Sequence, residues 1–232
     1  MLSTSNFKEL SFLVYGLGLS GQSVVRFFKK KNIKNFEVWD DNQKKLFKKK
    51  RAKNLNKTLK NVDFIVLSPG ISFIEKKKLI KFKKKIITDI DFLFLTNKDF
   101  KSIVVTGTNG KSTTCKLISH LLKKNKFEVL IGGNIGTPIL DLKIKKNSYV
   151  IIEASSFQLF HSKFIHPDYA FLLNITNDHL DWHGNMSNYI NSKLKIFMLQ
   201  EKRQFALVNK KLKKIFKKRN FLNKLVIPKE KN

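Results

Sequence analysis

Short apolar runs alternate along this chain with longer polar stretches rich in lysine. The first run, Leu10-Ser11-Phe12-Leu13-Val14-Tyr15, is almost continuously apolar, as expected for a strand buried on both faces. It leads through a glycine-rich turn into a helical stretch over 23–31. Further strands are predicted at 36–39, 64–67 and 86–88. Charge interrupts the pattern at Asn97-Lys98-Asp99, where we place a boundary between two units, 1–97 and 98–232. In the second unit, strands are predicted at 103–106, 129–131, 149–152, 170–174 and 205–208, with a helix over 114–122. The residues after 208 read as a basic tail. The β-α-β rhythm predicts an α/β fold with a mostly parallel sheet covered on both faces.

In open sheets of this kind, ligands sit beyond the C-terminal ends of the strands. The polar and glycine residues collect there: Thr106-Gly107-Thr108-Asn109-Gly110-Lys111-Ser112-Thr113, Gly132-Gly133-Asn134, Glu153-Ala154-Ser155-Ser156 and Asn174-Ile175-Thr176-Asn177-Asp178-His179. The first follows a strand and opens a helix, the layout of a phosphate-binding loop. Its backbone N–H groups would face phosphate oxygens, Lys111 would reach the β- and γ-phosphates, and the Ser112 hydroxyl would ligate Mg²⁺. Glu153 stands where such proteins place the carboxylate that helps hold that ion. His179 and His183, four apart, would suit zinc on a helix, but no cysteine or H-E-x-x-H pattern supports zinc.

A second glycine motif, Gly16-Leu17-Gly18-Leu19-Ser20-Gly21, follows the first strand, and Asp40 ends the next one. The pattern matches a dinucleotide fingerprint. By itself it does not choose between NAD, another diphosphate such as that of a UDP-sugar, and an unliganded turn.

Composition adds limits. With 232 residues there is room for one large or two ordinary domains, and the single cysteine, Cys115, rules out an internal disulfide. No apolar run is long enough to span a bilayer and no signal peptide is visible, so the expected location is the cytoplasm. The net charge of +30 invites a nucleic-acid reading. Against it, arginine supplies only Arg26, Arg51, Arg203 and Arg219, and the lysines are spread along the whole chain, as on solvated faces. No specific nucleic-acid partner is expected.

Taken together, these segments resemble the Mur ligases, ATP-dependent amide-forming enzymes of peptidoglycan synthesis. The resemblance rests on Gly107–Ser112, Gly16–Gly21, Ser68-Pro69-Gly70-Ile71, Gly133-Asn134-Ile135-Gly136, Glu153-Ala154-Ser155-Ser156-Phe157-Gln158-Leu159, Asn174 with Asp178-His179-Leu180-Asp181, and Ser192-Lys193-Leu194-Lys195-Ile196-Phe197. It favours the branch that joins D-glutamate to UDP-N-acetylmuramoyl-L-alanine through an acyl phosphate. It implies a Rossmann-like UDP-binding domain over 1–97 and an ATP-binding domain over 98–232. Gly16, Leu17, Gly18, Leu19, Ser20, Asp40, Gly70, Asn134 and His179 would hold the UDP-substrate. Gly107, Thr108, Asn109, Gly110, Lys111, Ser112 and Thr113 would hold ATP. Lys111, Glu153, His179 and Lys193 would serve catalysis. Two Mg²⁺ ions would rest on Ser112, Glu153, His179 and Lys193, the last as a carbamate formed with CO₂. The partners implied are small molecules, with the chain a monomer. Mur ligases also have a C-terminal domain that binds the amino acid. None is visible before Asn232, so the chain is expected to be truncated and inactive alone. A non-catalytic nucleotide-binding module and a basic nucleic-acid-binding protein are the alternatives.

Overall fold

A computed structural model describes residues 6–43, 45–96 and 99–228. The boundary expected at residues 97 and 98 lies outside the described residues. The chain forms two parallel sheets. The first has strands β1 (Phe12–Tyr15), β2 (Phe36–Trp39), β3 (Phe64–Leu67) and β4 (Ile86–Ile87), in the order β2-β1-β3-β4. Phe12 and Val14 of β1 face helix α1 (Leu19–Lys30), whose Val24, Val25 and Phe28 are buried against them. Leu13 and Tyr15 face the other way, onto Leu55 and Leu59 of helix α2 (Leu55–Asn61). Both faces are covered, so β1 reads as an unbroken apolar run.

Helix α3 (Asp89–Thr96) joins the two halves. Its Phe92 packs in the core of the first sheet, while Ile90, Leu93 and Phe94 pack in the core of the second. Asp91 is fully buried and accepts hydrogen bonds from Thr88 N–H (2.9 Å), the Ser162 hydroxyl, Lys163 N–H and Phe164 N–H (2.8 Å each). It ties the end of the first half to a loop of the second.

The second sheet contains β5 (Lys101–Thr106), β6 (Val129–Gly133), β7 (Tyr149–Glu153), β8 (Tyr169–Leu172), β9 (Phe205–Val208) and β10 (Lys224–Val226), in the order β10-β9-β8-β5-β7-β6. Helix α4 (Lys111–Lys124) crosses one face. Helices α5 (Ser156–His161), α7 (Met186–Met198) and α8 (Lys213–Lys217) bury Leu159, Leu194, Phe197 and Phe216 in the core on the other; the short α6 (Leu180–His183) precedes α7. β10 corrects the reading of a basic tail. Its flanking lysines masked a strand of three residues that pairs with β9. Among the described residues no helix is long and apolar enough to cross a membrane.

Candidate functional site

The phosphate-type loop falls between β5 and α4, as its sequence predicts. Gly110 takes φ +82°, a left-handed conformation that lets the chain turn sharply into the helix. α4 starts at Lys111, so its first N–H groups and the positive end of its dipole point toward the loop. Asn174, just past β8, holds the loop from the side. Its Oδ1 accepts from Thr108 N–H (3.0 Å) and Asn109 N–H (2.9 Å), and its Nδ2 donates to the Asn109 carbonyl (3.0 Å).

Two ammonium groups meet on one carbonyl of this loop. Lys111 Nζ donates to Gly107 O (2.9 Å) and Thr108 O (2.7 Å). Lys193 Nζ, arriving from α7, donates to the same Gly107 O (2.8 Å). Lys193 is 1% exposed, and its amine sits 4.6 Å from the centre of the Tyr189 ring. Burial, reinforced by the charge of Lys111 and opposed by Asp178, pushes its pKa down to about 7. Tyr189 lies one helical turn before Lys193, and its hydroxyl is 2.9 Å from that of Thr108.

Beside the lysines runs a chain of three polar residues. The Ser112 hydroxyl donates to Glu153 Oε2 (2.7 Å), and Asn134 Nδ2 donates to Glu153 Oε1 (3.1 Å). Glu153 is buried at the end of β7. Serine and carboxylate oxygens in direct contact are a hard donor pair of the sort that fits Mg²⁺, which usually takes few protein ligands and keeps several waters. Among the described residues, no cluster of three or more histidine, cysteine or acidic side chains could hold a metal by itself.

The two histidines do not converge. His179 is largely exposed, with Nε2 3.3 Å from Asp178 Oδ2 and its ring against Phe157. His183 is buried, bonded through Nε2 to the Ser156 hydroxyl (2.9 Å), and burial pushes its pKa down to about 4. His183 is therefore packed in the interior, with its Nδ1 buried and without a hydrogen-bond partner. Cys115 is fully buried beneath the loop, as a core residue. Gly107, Thr108, Lys111, Asn134, His179, Tyr189 and Lys193 all border one cavity of about 100 Å³, the size of a phosphoryl group rather than a whole nucleotide. A larger cavity, about 610 Å³, lies by the N-terminal ends of β1 and β2 among Lys34, Lys50, Arg51 and Lys53. That is the end of the sheet away from the glycine loops, whereas Lys111, Lys193 and the phosphate-type loop face the smaller cavity.

The first glycine loop is equally tight. A side-chain carbon on Gly21 would lie 1.8 Å from the Gly16 carbonyl. The Ser68 hydroxyl donates to that carbonyl (3.0 Å), linking the loop to the end of β3. Asp40 Oδ2 accepts from Leu17 N–H (2.6 Å), and Oδ1 accepts from Asn42 and Gln43 N–H (2.8 Å each). Burial raises its pKa, but these three bonds outweigh that and hold the carboxyl below its usual value. Two bonds fill Oδ1 and one engages Oδ2, leaving a lone pair for a ligand. Leu19 and Gly70 are exposed at this end of the sheet.

Sequence reasoning assigned no role to Asn174, Tyr189 or Asp91. The spacing of Tyr189 and Lys193 could have revealed that pair. Asn174 was read only as one of the polar residues beyond the strand; that it holds the loop becomes visible once β8 is set beside β5.

Two family models match, the Mur ligase middle domain over residues 105–230 and the Mur ligase MurD-like N-terminal domain over residues 10–88. The chain is 41% identical over 212 residues to the UDP-N-acetylmuramoylalanine–D-glutamate ligase of Rickettsia prowazekii (strain Madrid E), covering 88% of this chain and 47% of that relative. It is 39% identical over 225 residues to the enzyme of the same name from Buchnera aphidicola subsp. Schizaphis graminum, covering 92% and 49%. The chain thus spans about half the length of the curated relatives it matches. In structure it is similar to the Neisseria meningitides UDP-N-acetylmuramate:L-alanyl-gamma-D-glutamyl-meso-diaminopimelate ligase, with TM-score 0.57, 12% identity and coverage of 94% of this chain and 77% of that one. The murein peptide ligase of Psychrobacter arcticus gives TM-score 0.51 at 13% identity, with coverage of 93% and 52%. These two likenesses bear on the fold alone. With the N-terminal match ending at β4 and the middle-domain match beginning within β5, the chain belongs to the Mur ligase family.

Proposed function

We propose that this chain carries the nucleotide-handling part of a ligase that adds D-glutamate to UDP-N-acetylmuramoyl-L-alanine. The observation that carries the proposal is the meeting of Lys111 and Lys193 on the Gly107 carbonyl, next to the Ser112–Glu153–Asn134 chain. In the proposed reaction, a carboxylate oxygen of the UDP-substrate attacks the γ-phosphorus of ATP, and the bond to ADP breaks. The D-glutamate amine then attacks the acyl phosphate, and phosphate leaves as the amide forms. Lys111 exchanges its loop carbonyls for phosphate oxygens and neutralises charge on the transferring group.

Ser112 and Glu153 would hold one Mg²⁺, which would supply positive charge against that of the phosphate group. Lys193 and His179 are the residues we assign to a second. For that role the neutral Lys193 amine bonds to the carbon of CO₂ and releases a proton, turning a cation into an oxygen ligand. A pKa of about 7 supplies the neutral amine. Gly16–Ser20, Asp40, Gly70 and Asn134 would hold the UDP-substrate, and Gly107–Thr113 would hold ATP. The same reading divides the chain at residue 97 and has it act in the cytoplasm as a monomer.

Calorimetry tests this. UDP-N-acetylmuramoyl-L-alanine and a non-hydrolysable ATP analogue with Mg²⁺ are titrated separately into the chain. We expect saturable binding of both, with Lys111→Ala abolishing only the second and Asp40→Ala weakening only the first. A folded chain that binds neither refutes the proposal.

A further inference from the structure

The cavity of about 610 Å³ lies beside the edge strand β2 and helix α2, at the N-terminal end of the first sheet, and the proposed chemistry makes no use of it. Its wall is more basic than the chain as a whole. Lysine and arginine make up six of its fifteen residues, against 47 of 232 in the sequence. Glu37 is the one acid among the described residues of that wall, and its Oε2 already accepts from the Thr58 hydroxyl (2.6 Å). So unbalanced a wall carries repulsion between like charges, which a bound anion relieves. The backbone brings the lysines there. Phe47 takes φ +51°, a left-handed conformation uncommon for a bulky side chain. It folds the run Lys48-Lys49-Lys50 back along the edge of β2, where Ala52 N–H donates to the Val38 carbonyl (3.1 Å). Lys50 Nζ is fixed by the Lys34 carbonyl (2.7 Å) and stands 4.6 Å from the centre of the Phe36 ring. Lys34, Lys49, Lys53 and Lys57 are exposed around it.

We infer that this cavity is a binding site for a free oligophosphate, a chain of several linked phosphate groups. Three features select that class. The first is size. The cavity has about six times the volume of the phosphoryl-sized one beside Lys111, which gives room for several phosphates in a row. The second is the kind of cation. Lysine ammonium groups are point charges with rotatable donors, which suit phosphate oxygens and lack the planar fork that selects a carboxylate or a base edge. The third is the state of the aromatic rings. Phe12 is 0% exposed, and Phe36 is buried with the Lys50 ammonium over its ring, so neither offers a platform on which a base could stack. That disfavours single-stranded nucleic acid. It also disfavours a nucleoside triphosphate, whose nucleoside would gain nothing here. The site stands apart from the phosphate-type loop: it belongs to the other half of the chain, at the end of the first sheet opposite the Gly16–Gly21 turn.

Calorimetry with inorganic tripolyphosphate tests this, with Mg²⁺ present throughout and in the Lys111→Ala chain, so that the phosphate-type loop does not contribute. We expect saturable binding of one tripolyphosphate per chain, with orthophosphate and a non-hydrolysable ATP analogue each weaker by about tenfold or more. Lys49→Gln, Lys53→Gln and Lys57→Gln combined should weaken tripolyphosphate about tenfold or more. The thermal midpoint should stay nearly unchanged, because all three side chains are exposed. Lys210→Gln, Lys211→Gln and Lys214→Gln combined remove the same charge elsewhere on the surface and should change the affinity less than about twofold. With Lys111 in place, the ATP analogue should bind equally well with and without the first triple substitution, so this inference and the nucleotide reading fail separately. Four results would each overturn the inference. They are no saturable binding of tripolyphosphate, equal weakening by the two triple substitutions, which marks surface charge alone, orthophosphate or the ATP analogue binding as tightly, and an oligoribonucleotide that displaces tripolyphosphate at lower concentration.

Discussion

Asp91 offers the sharpest test of how the two halves are held in register. Its Oδ1 accepts from Ser162, Lys163 and Phe164, and its Oδ2 from Thr88, all within a fully buried pocket. Asp91→Ala removes every acceptor from three backbone N–H groups and from the hydroxyls of Ser162 and Thr88. Each orphaned buried donor costs roughly 1–3 kcal/mol. Partial relaxation and water entry reduce the total, so we expect a loss of about 3–5 kcal/mol, the size seen when one partner of a buried charged network is removed. Asp91→Asn keeps the oxygen that serves three donors and sets its NH₂ against Thr88 N–H, while the Thr88 hydroxyl can turn to accept from it, so it should cost about half as much. Urea denaturation gives the free energies. Hydrogen exchange at Lys163 and Phe164 shows whether the loop opens, which should happen in the alanine variant and much less in the asparagine variant. A loss below about 1 kcal/mol for alanine, or an asparagine variant as weak as the alanine one, would refute this account.

Three further outcomes are expected. Burial pushes the Asp89 carboxyl up to about 6, so between roughly pH 4 and 6 the folded chain holds a proton that the unfolded chain has released; stability contributed by this group falls as pH rises through that window, and Asp89→Asn should flatten the fall in urea midpoints measured from pH 4 to 7. Lys193 behaves in the opposite sense: from about pH 7 to its ordinary value near 10.5 the unfolded chain holds the extra proton, so stability rises with pH there, and Lys193→Met should reduce that rise in the same measurement, most clearly between pH 7 and 8, below the range where the buried Lys195 adds its own. Gly21→Ala must move the Gly16 carbonyl, which a side-chain carbon would approach to 1.8 Å, and thermal denaturation should show a loss of about 2 kcal/mol or more; a midpoint equal to the parent's would mean the turn is loose.

How much of this was legible in the sequence depends on the range of the contacts. The loop from Gly107 to Ser112 is local: strand, glycines, lysine and helix follow one another within one short segment, so its geometry could be read directly. Glu153 was legible as a carboxylate ending an apolar run. Lys193 was not, because nothing in the spacing of lysines distinguishes a buried one from its many solvated neighbours; only the family resemblance singled it out. Asp91 looked like one of two acids beside a short strand, and its importance comes from a loop more than seventy positions later. α5 was not read from the sequence, although Ser155 and Gln158 form a capping box at its start. Asp40 follows β2, as read from the sequence, but the three backbone bonds by which it shapes the turn could not be read there.

Because Lys111 and Lys193 lean on one carbonyl, their states are tied together. An arriving phosphate that draws Lys111 away also brings negative charge toward Lys193, and both changes strengthen its hold on a proton. The order of events therefore matters. Any chemistry that needs the uncharged Lys193 amine goes most easily before phosphate enters, and by reciprocity a Lys193 that has lost its positive charge weakens the pull on an incoming anion until a cation makes up the difference. If the loop takes phosphate as proposed, what reacts first sets the terms for what binds next.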